Sequence, residues 1–147
     1  MAADPEIARF IGGRTATRED AWTKLLRNFG HWSAFGYGVF TVRERIGDAF
    51  VGEVGLAHFG RGLGDMFDPF PEASWVLARL GQGKGYAAEA VKAAHDWLAN
   101  RKGPTRTVCI IHPDNSASIR LAEEIGYRAF GQCKYRGASP TMFERVG

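Results

Sequence analysis

Residues 105–112, TRTVCIIH, narrow the possible folds more than any other stretch. The run is almost continuously β-branched and apolar, with no alternation that would leave one side for water. A strand of this kind is typical of burial on both faces of a sheet. Such a sheet needs helices over it, and helical patterns flank the run. Upstream, YAAEAVKAAHDWLAN places Ala87, Ala90, Val91, Ala94, Trp97 and Leu98 on one helical face. Downstream, NSASIRLAEEIG reads as a helix with Asp114 or Asn115 as N-cap and Gly126 just past its end. The expected class is α/β.

The rest of the chain supplies the partners of that strand. TREDAWTKLLRNFG begins with Thr17 and has Asp20 three residues on, a relative of the capping box. Trp22, Leu25, Leu26 and Phe29 recur at helical spacing, and Gly30 is placed to end the helix. Trp22 and Phe29, with Trp32 and Phe35, are expected in the core rather than lining a pocket. GYGVFTV and AFVGEVGLAHF, joined through RERIGD, read as an antiparallel hairpin. Residues 60–71, GRGLGDMFDPFP, form a long loop, which fits a binding loop or a surface excursion. ASWVLA is a short strand, and YRAFGQCKY and TMFERV are two more. The order becomes α-β-β-β-α-β-α-β-β, a mixed sheet covered by helices.

Composition excludes several classes. The 147 residues suit a single domain spanning 1–147, large enough to bury a core unaided. No apolar run approaches the length of a membrane helix, so no membrane partner is expected. MAADPEIARF has no apolar segment of a secretory signal. A net charge of +3 without a Lys/Arg run does not argue for nucleic acid. The sequence pI near 9.1 leans only toward an anionic ligand. Cys109 and Cys133 lie in strand-like runs, as expected of reduced residues in a cytoplasmic protein. His31, His58, His95 and His112 lack metal-ligand spacing, so no metal is expected.

The stretch LGQGKGYAAEA, residues 80–90, raises a different question. It places Gly81, Gly83 and Gly85 directly before a helix, although glycine disfavours helix relative to alanine. A strand, a glycine-rich turn and a helix start together make an anion site. The first N–H groups of the helix lack partners, and its dipole adds positive potential. Gly83, Gly85 and Ala88 fit a dinucleotide fingerprint, but the acidic residue expected about 20 positions later is absent. A Walker loop needs Ser or Thr after the lysine, whereas Lys84 precedes Gly85. The remaining register is Gln82-x-x-Gly85-x-Ala87, a cradle for a pyrophosphate.

In that register the chain resembles the GNAT N-acetyltransferase superfamily, whose acetyl-CoA signature is Q/R-x-x-G-x-G/A at a strand-to-helix turn. WVLARLGQGKGYAAEAVKAAHDWL resembles that family's central strand, signature and helix. IHPDNSASIRLAEEIGYRAFGQ resembles the next strand and helix. Asn115, Ser118, Gly126 and Tyr127 match N-x-x-S and G-F/Y of the branch that acetylates ribosomal-protein N-termini. DPEIARFIGG and TREDAWTKLL are similar to that branch as well, so the resemblance spans nearly the whole chain.

The resemblance implies a mostly antiparallel mixed sheet flanked by helices, lacking the usual first strand. A homodimer or a rearranged N-terminal segment would cover the exposed edge. It implies acetyl-CoA as cosubstrate and a primary amine as acceptor, whether a protein N-terminus, a polyamine or a small amine. Gln82, Gly83, Lys84, Gly85, Tyr86 and Ala87 would hold the pyrophosphate. Val76 and Leu77 would pair with the pantetheine arm like an added strand, and Asn115 would bond its amides. Asn115 equally suits a plain N-cap, and Lys84 a solvated lysine.

Catalysis needs a base for the amine and a proton for the thiolate. Glu53 is the lone carboxylate in FVGEVGL, on one face with Val51 and Ala57, and apolar neighbours there suit a base. Glu72 is second. Many relatives carry a tyrosine seven residues after the asparagine; here that position is Ala122, and Ser118 is the nearest matching hydroxyl. The missing strand and tyrosine also suit a non-catalytic acyl-CoA-binding or dimeric interaction module. Asp65 and Asp68 of the long loop favour a cationic acceptor.

Overall fold

The computed structural model describes residues 17–78 and 85–147. In chain order these form α1 (Arg18–Phe35), β1 (Val39–Arg43), β2 (Phe50–Ala57), β3 (Glu72–Leu77), α2 (Tyr86–Lys102), β4 (Thr107–Ile111), α3 (Ser116–Glu124), β5 (Arg128–Gln132) and β6 (Thr141–Arg145). This is the order expected from the sequence. The strands make one sheet, ordered β1-β2-β3-β4-β6-β5. Only β3 and β4 run parallel; the other neighbours are antiparallel. The uninterrupted apolar run becomes β4, inside the sheet, where Val108, Cys109 and Ile111 are all buried.

One face of the sheet carries the core. Val54, Leu56, Ala73, Cys109 and Phe143 meet Val91, Ala94 and Leu98 of α2 and Leu121 and Ala122 of α3. The caps of α3 are those read from the sequence: Asn115 at its start, and Gly126 with a φ of 99° just past its end. Among the described residues, no helix is long and apolar enough to cross a membrane.

α1 reaches the other face through Lys24 and Glu53, while Trp32 in its last turns packs against Phe40 and Trp97 of the core side, and here the structure departs from the sequence reading twice. First, the helix does not stop at Gly30 but runs on to Phe35, where Gly36 in the left-handed region caps it. The added turn is held by side chains that reach the sheet. His31 Nδ1–H donates to Tyr37 O at 2.7 Å, and Trp32 Nε1–H donates to Val39 O at 3.1 Å. Those bonds outweigh one glycine's propensity cost. The capping box at Thr17 and Asp20 is formed as expected.

Second, the apolar stripe of α1 is not core. Trp22 is 61% and Phe29 69% exposed, and Leu25 and Leu26 lie open beside them. The inward side is polar instead. Lys24 pairs with Glu53 of β2, and His31 Nε2 accepts from the main-chain N–H of His58. These bonds, with that of Trp32 to Val39, set the rotation of this helix, leaving its stripe outward. Trp32 does pack as expected, edge-on to Phe40 and Trp97. Phe35 stacks on His31 but stays half exposed.

A hydrogen-bonded chain crosses the core between α2 and β4. His95 Nδ1 lies 2.7 Å from Val91 O, so it must carry the proton. His95 Nε2 then accepts from the Tyr127 hydroxyl, which accepts from Thr107 Oγ1, each at 2.7 Å. All three residues are buried. Burial pushes the His95 pKa below the usual histidine value, and burial lowers that of His58 as well.

Two outcomes follow from these placements. Gly30 lies mid-helix with open space where a Cβ would sit and no left-handed φ. Gly30→Ala therefore raises stability by about 0.5–1 kcal/mol in urea titration; a loss of stability would contradict the extended helix. The second concerns acid. His95 and His58 are depressed in the folded state, so the unfolded chain binds more protons once pH falls below about 6.5. Stability is full above that pH and declines below it, by at most about 1.4 kcal/mol per pH unit for the buried His95 and by less for the more exposed, solvent-screened His58. His95→Gln flattens the decline; an unchanged slope would remove His95 from it.

Candidate active site

The sheet opens between its two parallel strands. β3 and β4 share one bridge, Glu72 with Val108, where Val108 N–H donates to Pro71 O. Beyond that bridge the register between them ends, and their carboxyl ends flank a crevice. Each strand leads into a helix start at the same end, α2 at Gly85 and α3 at Asn115. Ligands of open α/β sheets bind in such crevices at strand carboxyl ends.

Strand register decides which main-chain groups face the crevice. Ala78 N–H donates to Val51 O, so Val76 and Ser74 form the hydrogen-bonded pairs with β2. Val76, expected to present its main chain to a ligand, therefore turns it to Glu53 of β2. The main-chain groups of Trp75 and Leu77 point to the β4 side instead. Leu77 keeps its expected orientation, while Trp75 takes the place given to Val76. Nothing in ASWVLA distinguishes odd from even positions, so the sequence reading missed Trp75.

The helix starts flank the crevice with complementary chemistry. Gly85 caps α2 in the left-handed region, φ 76° and ψ 3°, with open space where a Cβ would sit and no side-chain cap. Tyr86 donates its hydroxyl to Glu44 at 2.7 Å, tying α2 to the β1–β2 turn. Ala87 packs against the core. Gln82, Gly83 and Lys84 lie outside the described residues. Asn115 Oδ1 accepts the Ser118 N–H at 3.2 Å, so its amide N–H groups remain for another partner. Ser118 Oγ accepts from Trp75 Nε1 at 3.2 Å, linking α3 to β3. Ala122 is fully buried.

The two residues expected to act as base and acid are not side by side. Trp75 shares the core face with Val54, whereas Glu53 and Val76 point to the α1 face. Ser118 thus approaches the crevice from one side and Glu53 lies on the other. Glu53 is not in apolar surroundings either: the Lys24 ammonium pairs with it.

Glu72 is not an available base. It is 4% exposed, and Arg61 Nε lies 2.8 Å from both its oxygens. Burial pushes its carboxyl up, and Arg61 partly offsets this. The long loop is likewise anchored. Phe67 is buried, Asp68 accepts the N–H groups of Leu63 and Gly64, and Arg106 donates to Met66 O. Asp68 is therefore engaged within its own loop rather than open to a cationic acceptor. Burial raises both cysteine thiols. Among the described residues, no group of three His, Cys, Asp or Glu stands together as a metal site.

Comparison with known proteins adds four findings. A family model described as an acetyltransferase (GNAT) domain matches residues 1–128. A Bordetella pertussis protein assigned to the GnaT acetyltransferase family has a solved structure that superposes with a TM-score of 0.86. It is 35% identical and covers 92% of this chain and 81% of its own. The uncharacterized protein YkkB of Bacillus subtilis strain 168 is 29% identical over 125 residues, 84% of this chain and 69% of YkkB. A spermidine N-acetyltransferase from Vibrio cholerae, solved with CoA and spermine, shares the fold at a TM-score of 0.74. It is 17% identical over 99% of this chain and 85% of its own.

Proposed function

This chain belongs to the GNAT acetyltransferase family, and from that premise we propose how it works as an acetyl-CoA-dependent N-acetyltransferase. The observation that carries the reading is the parting of β3 from β4 between the starts of α2 and α3. The residues present fit acetyl-CoA. The uncapped start of α2, open at Gly85, suits a pyrophosphate with Tyr86 and Ala87. Gln82, Gly83 and Lys84, outside the described residues, belong to that cradle by the sequence motif alone. The main chain of Trp75 and Leu77 suits the amides of the pantetheine arm, as does the spare amide of Asn115. A Trp75 N–H aimed into the gap suits the carbonyl oxygen that gains charge in the transition state.

The acceptor, a neutral primary amine, attacks the thioester carbonyl carbon directly. The C–N bond forms, the C–S bond breaks, and the amine's proton passes to Glu53. The thiolate takes its proton from Ser118 or from water. Base and acid on opposite faces of the sheet agree with an amine arriving from the α1 side. Lys24 holds the Glu53 carboxylate at mid-strand. The motif formed by Asn115, Ser118, Gly126 and Tyr127 supports the branch that acts on ribosomal-protein N-termini. Two reduced cysteines and acetyl-CoA use suit the cytoplasm.

A second copy of this chain is the proposed partner at the edge of β1, which pairs with no other strand than β2 among the described residues. Leu56 N–H donates to Gly38 O, so Phe40 and Val42 bond β2 while Thr41 turns its main-chain N–H outward. An edge strand with outward N–H groups is a template for pairing.

Glu53→Gln lowers turnover by about 10²-fold or more while CoA still raises the melting temperature as in wild type. Free-thiol release with an amine panel reads this, and a near-normal rate across pH 6–9 would remove Glu53. For the dimer, light scattering after size exclusion gives the mass of two chains. Thr41→Pro removes only an outward donor and yields folded monomers. A single-chain mass for wild type at every concentration would rule the edge pairing out.

A further inference from the structure

Trp75 carries its indole across the opening between the parallel strands. It stands three residues past Glu72, where β3 and β4 share their bridge. Ser118 lies in the first turn of α3, which follows the carboxyl end of β4. Trp75 Nε1–H donates to Ser118 Oγ at 3.2 Å, so the two sides of the crevice meet at this bond. Both residues are half-buried, in reach of solvent rather than sealed in the core. Ala122, one helical turn beyond Ser118 on the same side of α3, is fully buried. Ser118 is therefore the position of that side which still meets the opening.

Donor and acceptor roles at this bond are not interchangeable. An indole N–H only donates, whereas a serine hydroxyl holds one proton and two lone pairs. Ser118 Oγ must therefore accept, and its own proton points elsewhere. Serine hydroxyls in helices commonly return that proton to their own main chain. Among the described residues Ser118 makes no such bond. Its main-chain N–H goes to Asn115 Oδ1, and its hydroxyl meets Trp75. The indole is held in place because its ring packs against the buried cluster that α2 and α3 share. The hydroxyl proton is left for a group outside the protein.

The sulfur of a thioester suits such a proton. When the C–S bond breaks, its electron pair stays on sulfur, and a donor aimed there in advance stabilises the charge without reorganising. The indole N–H also steadies the serine oxygen as its O–H bond lengthens toward sulfur. The start of α3 acts in the same sense, since the helix dipole favours negative charge there.

We propose that the Trp75 side chain is a positioning group for acetyl transfer, its indole N–H turning the Ser118 hydroxyl to donate to the departing thiolate. The inference rests on the acetyl-transfer reading above. The amine's proton goes to Glu53, the C–S electron pair goes to sulfur, and that sulfur accepts a hydrogen bond from Ser118. One residue then serves both charges of the transition state. Its main chain faces the carbonyl oxygen, and its side chain acts on the sulfur through Ser118.

The test is single-turnover acetyl transfer from acetyl-CoA, read as thiol release with the best amine of a panel, so that product release does not hide the step. Replacing Trp75 by β-(3-benzothienyl)alanine keeps the ring shape and exchanges the N–H for sulfur. Its rate falls about tenfold, the scale of one hydrogen bond, with half-saturation by acetyl-CoA unchanged. Ser118→Ala falls by at least as much, and the analogue placed in Ser118→Ala loses nothing further. Trp75→Phe, made without the analogue, shows the same dependence on Ser118. A normal rate for the analogue or for Ser118→Ala overturns the inference and leaves acetyl transfer standing. So do losses that multiply in the double variant, or a loss confined to acetyl-CoA binding. Wild-type protein that releases no thiol with any amine, while acetyl-CoA raises its melting temperature, overturns the transferase reading and this inference with it.

Discussion

The contact between Glu72 and Arg61 holds the two halves of this sheet in relation to each other. Glu72 is the β3 residue that bridges to Val108 of β4, and its carboxylate is forked by Arg61. The bridge and the ion pair thus meet at one buried residue. Desolvating a carboxylate is costly, and removing one member of such a pair leaves the other uncompensated, at about 3–5 kcal/mol. What the pair secures is position. At it the strands are joined; beyond it their register ends. Arg61 also carries Phe59 on one side and Tyr135 on the other. The same contact therefore locates the crevice, the long loop and the β5–β6 turn together.

The polarity of α1 follows from what it faces. The α2 side of the sheet presents Val54, Leu56 and Cys109 to apolar helices. The α1 side presents Glu53 and the main-chain N–H of His58, groups that need polar partners. Lys24 and His31 supply them. A helix held by these bonds and by that of Trp32 to Val39 has its rotation fixed even though none of its residues is fully buried. Its apolar stripe is then turned outward as a geometric consequence.

Much of this was legible in the chain because the signals were local. The β-branched run of β4 and the apolar faces of α2 and α3 depend on residues within a few positions of each other. So do Thr17 with Asp20 and Asn115 with Gly126. What failed depended on partners distant in sequence. Gly30 reads as a helix end because nothing local announces His31 bonding Tyr37 and His58. Trp22 and Phe29 read as core because periodicity gives a stripe but not the direction it faces. Val76 was placed at the ligand because alternation of side chains is visible in sequence, whereas the direction of main-chain N–H groups depends on cross-strand pairing. Of the candidate site, residues 82–84 lie outside the described residues, and Asn115 carries the capping bond read for it.

The sheet itself imposes a division of labour on the proposed reaction. Trp75 and Val76 are adjacent in sequence but point to opposite faces, one to Ser118 and the other to the side of Glu53. A thioester lying in the gap between β3 and β4 would be reached by α2 and α3 groups from one face and by an amine from the other. The pyrophosphate is met by the start of α2, where the helix dipole favours an anion.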